Sequence, residues 1–292
     1  MSNKISKVAL FVVAVIWGLG YVATAVALVT LTPYQILAVR FTLAFVLLLI
    51  FQGSKLRQLN RRSFLRGSLI GIFLFLGFVF QTVGLQYTTP SKNAFLSAVN
   101  IVIVPFLSWL ILKHKIPRNA IIGSLVALSG VAILTLNQSL NQINIGDILT
   151  LLGALFFALQ IFTTDTYAKT ESAWVIMILQ TGVASVLSWI VVLINGEWRM
   201  PLTWESGLAV GYLGIFSTLV AYGLQTWAQK RTSGTETVVI LSTEAFFGML
   251  ASVILLHEPV TLELLLGGGL IFLGVLITDL KPPRRFHMKR RN

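Results

Sequence analysis

Two side chains raise the question of chemistry first, because each carries charge inside a long apolar run. Glu244 lies about ten residues from either end of the run 235–256, whereas Asp147, Asp165 and Asp279 sit at the ends of theirs. A charge at membrane depth costs roughly 3 kcal/mol on insertion scales, so it needs a partner, a water-filled cavity or a proton. Glu244 is therefore read as the partner of a ligand ammonium or as a proton-binding site, the plainer alternative being a protonated carboxyl hydrogen-bonded between helices. Arg40 lies about seven residues into the run 33–52, roughly 10 Å along a helix at 1.5 Å per residue. That depth is within snorkelling reach of the headgroups, and a structural or interfacial charge is the expectation for Arg40. Binding a ligand carboxylate, or pairing with Glu244, is the alternative.

Uncharged polar residues form helical stripes. Asn93, Ser97 and Asn100 share one face of a fourth run, Gln160 and Thr164 one of a sixth, and Thr218, Tyr222, Gln225 and Gln229 one of an eighth. With Trp17, Tyr21, Gln81, Gln86, Thr243 and Glu244 they are expected to line a binding cavity. Interhelical hydrogen bonding is the competing reading for any one of them, worth about 0.6–2 kcal/mol per contact. Trp17 and Tyr21, one turn apart, could stack on an apolar or cationic ligand or pack on a neighbouring helix.

Enzyme chemistry finds little support. His114, His257 and His287 fall in joints or the tail, no pair of carboxylates shares a run, and neither a Walker nor a dinucleotide glycine motif is present. Cysteine is absent, which excludes disulfides and thiolate metal sites. No cofactor, metal or nucleic acid is expected. The expected partners are the lipid bilayer and a small-molecule substrate, with protons a candidate third, and oligomeric state is left open.

The elements that must position these residues follow from composition. Of 292 residues, 56% are hydrophobic and 11% charged, against roughly a quarter charged in soluble domains. Apolar runs near the length needed to cross a bilayer recur at 7–29, 33–52, 67–86, 91–112, 119–136, 147–167, 172–194, 206–229, 235–256 and 262–279. Helix is the only state that pairs their backbone groups internally. The fold class expected is an all-α integral membrane protein of ten transmembrane helices. Lys4 and Lys7 before the first run, with Ala25-Val26-Ala27 at its end, also fit a cleavable secretory signal, but Trp17-Gly18 interrupts that run and its loss would leave an odd count.

With the N-terminus inside, nineteen of the twenty-two Lys and Arg fall in inner joints and tails, and only Lys92 and Arg199 in outer joints. The positive-inside rule then places both termini in the cytoplasm of a multi-pass protein of the plasma or inner membrane, and explains the net charge of +12 without nucleic acid. Pro105 marks a candidate kink in the fourth run.

The chain also repeats. Gly67-x-x-x-Gly71 recurs as Gly207-x-x-x-Gly211, Gly84-Leu85-Gln86 as Gly223-Leu224-Gln225, and Gly123 with Gly130 as Gly267 with Gly274. These pairs are read as sites of close helix approach. Five helices per copy is odd, so the second copy enters from the opposite side, giving two inverted five-helix repeats: 1–146, then 147–280, followed by a basic tail, 281–292. All ten acidic residues lie in the second half.

Trp17-Gly18 with Phe157-Ala158, Arg40-Phe41, the stretch Gly84-Leu85-Gln86-Tyr87-Thr88-Thr89 through Asn93-Ala94, and Thr243-Glu244-Ala245 through His257-Glu258-Pro259-Val260-Thr261 resemble the drug/metabolite transporter superfamily in its ten-helix, EamA-type metabolite-exporter branch. Ala245 stands where that family has proline, and Lys115 where it has an acid. The resemblance implies a secondary transporter exporting a small metabolite, an amino acid or related compound, by alternating access. A lipid-linked sugar or head-group flippase and a non-transporting membrane scaffold are the alternatives.

Overall fold

A computed structural model describes residues 2–113, 116, 118–135, 144–232, 237 and 240–279. The expected basic tail, His114 and Lys115 lie outside these. Every regular element among the described residues is helical. Seven stretches are long and apolar enough to cross a membrane: Lys4–Ala27, Pro33–Gln58, Arg61–Leu85, Pro90–Ile111, Ile145–Tyr167, Ala173–Ile194 and Trp204–Gln229. Three shorter apolar helices accompany them: Ile121–Leu134, Thr243–Leu255 and Leu262–Ile277.

The elements are α1 (Ser2–Ala27), α2 (Pro33–Gln52), a 3₁₀ turn (Gly53–Gln58), α3 (Arg61–Leu85), α4 (Pro90–Ser97), α5 (Asn100–Leu112), α6 (Arg118–Thr135), α7 (Ile145–Tyr167), α8 (Ala173–Ile194), α9 (Trp204–Tyr212), a π-helical stretch (Leu213–Val220), α10 (Ala221–Gln229), α11 (Thr243–Leu255) and α12 (Leu262–Asp279). Helix starts are set by local chemistry. Thr32 caps α2 with Pro33 behind it and Gln35 closing the capping box, and Asn60 with Ser63 and Thr203 with Ser206 close boxes on α3 and α9.

Two apolar runs that read as single spans are broken. The fourth run parts at Ala98–Val99 into α4 and α5, and α5 continues through Pro105, so the interruption lies seven residues before the proline that was expected to cause it. The ninth run turns at Ser242, so Glu244 lies in the first turn of α11 rather than inside a continuous helix.

The helices pair by the closeness their glycines allow. α6 packs on α12, where a Cβ on Gly130 would stand 2.5 Å from the Gly267 carbonyl oxygen and one on Gly274 2.5 Å from that of Gly123. α3 packs on α7 and α8, with Gly71 against Gln180 and Val183. α1 packs on α9, the π stretch and α10, and α2 packs on α8 and on the π stretch, where Gly214 meets Leu43 and the Arg40 carbonyl. α11 lies on α1 and α4.

Half of the expected glycine packing is overturned. A Cβ on Gly207, Gly211 or Gly223 would meet nothing within 4 Å. The partner of Gly71 is Gly214, because the cap of α9 follows that of α3 by 143 residues (Thr203, Asn60), whereas the cap of α8 follows that of α2 by 140 (Ser172, Thr32). The joint before α9 is three residues longer, which shifts the register of everything after it.

Candidate functional site

An aromatic core sits where α2, α3, α7 and α10 converge: Phe41, Phe78, Phe157 and Tyr222 are all buried. Phe78 meets Phe157 edge-on at 4.9 Å and Phe41 at 5.5 Å, and Trp17 of α1 lies 4.9 Å from Tyr222. Such contacts fix ring orientation beyond simple apolar burial. Above these rings opens a cavity enclosing about 570 Å³ of space, its mouth included, within the usual size range for small-molecule pockets.

One wall is a hydrogen-bond chain. Gln81 donates through Nε2 to Ser97 Oγ (2.9 Å) and to the Tyr21 hydroxyl (3.2 Å), which in turn donates to Glu244 Oε1 (3.4 Å). Asn93 anchors the chain, donating to the Gln81 carbonyl (3.1 Å) and to Thr150 Oγ1 (2.8 Å). The Asn93 carbonyl oxygen is itself buried without a partner. Glu244 is 7% exposed. At the start of α11 its carboxylate faces the positive end of the helix dipole. Asn100 starts α5 and lines the same space, so both broken runs turn a helix N-terminus toward the cavity.

The opposite wall carries Arg40. Its side chain is 2% exposed, with Nε on Thr218 Oγ1 (3.1 Å), Nη2 on Ser217 Oγ (3.4 Å) and the guanidinium carbon 4.1 Å from the Phe78 ring centre. The π stretch shapes this wall: Thr218 donates back five residues to the Leu213 carbonyl (2.8 Å), and the Ser217 carbonyl accepts from Trp17 Nε1 (2.9 Å). π segments recur at functional sites because they turn side chains and carbonyls out of register. Beside Arg40, both amide atoms of fully buried Gln225 have no partner.

Of the residues the sequence nominated, Trp17, Tyr21, Gln81, Asn93, Asn100, Gln160, Tyr222, Gln225 and Glu244 line the cavity. Ser97 stands behind Gln81, and Thr164 behind Gln160, from which it accepts a bond (3.3 Å). Thr243 is spent on the Ile240 carbonyl (2.7 Å). Gln86 is exposed at the end of α3 and takes no part. Its apparent equivalence to Gln225 comes from the same register slip, for the residue 143 before Gln225 is Thr82, which lines the cavity. Arg40 is turned inward rather than snorkelling to the headgroups, because Thr218, Ser217 and the Phe78 face hold it there. The apolar lining, Phe78, Phe157, Leu85, Ile161 and Leu213, was missed along with Thr24 and Ser217, since apolar residues in apolar spans carry no periodic signal of their own.

Among the described residues no group of three His, Cys, Asp or Glu is placed to hold a metal. The ion pairs lie at the ends of the bundle: Arg66 Nη1 with Glu171 Oε1 (2.7 Å) and Lys92 Nζ with Asp147 Oδ2 (2.6 Å).

Comparison with known proteins agrees with this architecture. A solved crystal structure superimposes with a TM-score of 0.70 over 94% of this chain and 96% of its own, at 15% identity, which speaks for the fold alone. The chain is 34% identical over 272 residues to an uncharacterised transporter of Archaeoglobus fulgidus, covering 93% of this chain and 85% of that one. It is 27% identical to the uncharacterised transporter YvbV of Bacillus subtilis (91% and 89% covered), and 28% identical to the uncharacterised inner membrane transporter YedA of Escherichia coli (92% and 89%). The sequence pattern of one family matches twice, over residues 5–136 and again over 144–279, and on these grounds the chain is a multi-pass membrane protein belonging to the EamA-like transporter family.

Proposed function

We propose that this protein is a secondary carrier that exports a small metabolite, an amino acid or related compound, by alternating access of two inverted five-helix repeats with both termini in the cytoplasm. The observation that carries the reading is the central cavity, to which α1, α2, α3 and α4 contribute from one half and α7, α10 and α11 from the other. Carriers of this architecture place binding sites where repeats meet and build them from broken helices.

Several features support the repeat. α5 and α11 are each thirteen residues long and start 143 residues apart, at Asn100 and Thr243. The left-handed residues that follow them, Lys113 and His257, have φ of 57° and 53°. The packing scheme also maps onto itself when each span is exchanged with the one five later: α6 with α12 and α2 with α8 are self-paired, and α3 on α7 corresponds to α1 on the α9–α10 span. The three shorter helices complete a count of ten spans if they cross where the bilayer thins or tilts toward them.

The test is flux. Purified protein in proteoliposomes should exchange labelled against unlabelled substrate drawn from an amino-acid panel, and empty-vesicle rates throughout the panel would refute a carrier of that class. Glu244 is the candidate proton carrier, so Glu244→Gln should abolish uptake driven by a pH gradient while sparing exchange. Unchanged driven uptake would remove Glu244 from the coupling.

One observation bears on a flippase. An apolar crevice of about 1190 Å³ opens between α1, α2, α8 and α10, lined by residues such as Phe51, Trp174 and Trp227, with Lys230 and Arg231 following Trp227. It shares no lining residue with the central cavity, so it offers a head group no route inward. Scrambling of a labelled lipid in the same vesicles would reverse that preference.

A further inference from the structure

The two groups that cross at the cavity floor place an arginine where an amide suffices. Gly71 of α3 lies against Gln180 and Val183 of α8, and Gly214 of the π stretch lies against Arg40 and Leu43 of α2, each contact residue 140 positions before its counterpart. Gln180 fills its slot with its polar atoms used: Oε1 accepts from Gln160 Nε2 (3.2 Å) and Nε2 reaches Met177 Sδ (3.0 Å). The crossing therefore does not need a charge to pack.

Arg40, by contrast, has no carboxylate within 4 Å among the described residues, and Thr218 and Ser217 occupy only two of its five N–H donors. The Phe78 face stacks the guanidinium flat, which leaves its hydrogen-bonding edge toward the cavity it lines. A buried cation with no counter-ion is poorly accommodated in a membrane interior, and a forked donor set of this kind matches an anion with two oxygens. Gln225 supplies a second, independent sign: its amide is fully buried in the same wall with both polar atoms unmatched, the condition of a group whose partner is the ligand.

We infer that Arg40 and Gln225 form an anion-binding subsite, and that the transported molecule carries a carboxylate or similar monoanionic group seated there. This rests on the carrier reading for its consequence, though not for the binding itself. Charge balance then leaves two sources for that group. A zwitterion would place its cationic end at Glu244 on the far wall, whereas a simple acid would need Glu244 protonated for the loaded cavity to remain neutral. The titratable groups facing Glu244 are Tyr21 of α1, which donates to it, and across the cavity Tyr222 and Arg40; from α4, Lys92 is committed to Asp147.

The test is a thermal-shift titration of the purified full-length chain with a panel of short aliphatic and aromatic monocarboxylates, their α-amino counterparts and the corresponding neutral amides. Carboxylates should stabilise the protein and amides of the same shape should not. Arg40→Gln, which copies the slot at Gln180, should weaken carboxylate binding by tenfold or more while leaving the melting temperature of the ligand-free protein unchanged or raised. Gln225→Leu should weaken it by less. Tighter binding of the α-amino members, lost in Glu244→Gln, identifies a zwitterion; equal binding of both carboxylate classes identifies a simple acid. Failure of the whole carboxylate panel to stabilise the wild type, equal stabilisation by the amides, or full retention of binding in Arg40→Gln would each overturn the subsite. Binding without flux in vesicles would instead refute the carrier reading and leave the subsite standing.

Discussion

Where α3 crosses α8, Gly71 lets Gln180 in, and the amide closes its hydrogen bonds within its own half of the molecule. Where the π stretch crosses α2, Gly214 lets Arg40 in, and the guanidinium turns its remaining donors to a cavity. The backbone solutions are alike, and the chemistry is opposite. The difference teaches that packing and ligand chemistry have been separated in this bundle: small residues keep both crossings close, while the side chain opposite each glycine was free to diverge.

Making the first crossing resemble the second should be the most damaging change. Gln180→Arg would bury a second cation without an anion, and a loss of roughly 3 kcal/mol is expected from the cost of an unpaired charge at this depth, read as unfolding in mixed micelles. A stable variant would mean that the slot is wetter than its complete burial implies.

Filling the glycine at either crossing comes next. Gly71→Leu should cost about 1–3 kcal/mol or more, because even its Cβ would fall 2.8 Å from Val183 Cβ. Gly211→Leu, at the position that sequence repetition equates with Gly71, should stay within about 0.5 kcal/mol, as expected for a site that touches nothing. Equal losses at the two positions would restore the 140-residue register for the eighth span and undo the comparison.

Smaller effects sharpen it. Thr218→Val removes the closer of Arg40's two hydroxyl partners and should cost about 1 kcal/mol of stability. Gln225→Leu should leave the stability of the ligand-free protein unchanged or slightly raised, since it removes two buried atoms that have no partner there. A marked loss in Gln225→Leu would show that the amide serves the fold.

How much of this was legible beforehand can be traced to particular residues. The spans and the bias of Lys and Arg followed from hydropathy and charge, because the bilayer imposes both over many residues. The polar stripes identified most of the cavity, since Asn93, Gln160 and Tyr222 have few other reasons to recur on one helical face. The breaks at Ala98–Val99 and Ser242 were hidden, because neither carries the glycine or proline that announces a helix end. Arg40 was misplaced because counting residues from a helix start gives depth but not direction, and the direction depends on Thr218 and Phe78, far away in sequence. The glycine register slipped because three extra residues in the joint before α9 leave no mark in either motif.

The central claim is that one cavity between two repeats is reached alternately from the two membrane faces. The chain has no cysteine, so single cysteines can be placed at Thr24, toward the end where α1 turns into α2, and at Gln229, toward the end where α10 finishes. Labelling by a membrane-impermeant maleimide should occur at Thr24→Cys from one face only and at Gln229→Cys from the other only. A saturating ligand or an imposed substrate gradient should raise one rate as it lowers the other. Access to both positions from the same face, or rates that fail to move in opposite directions, would contradict alternating access.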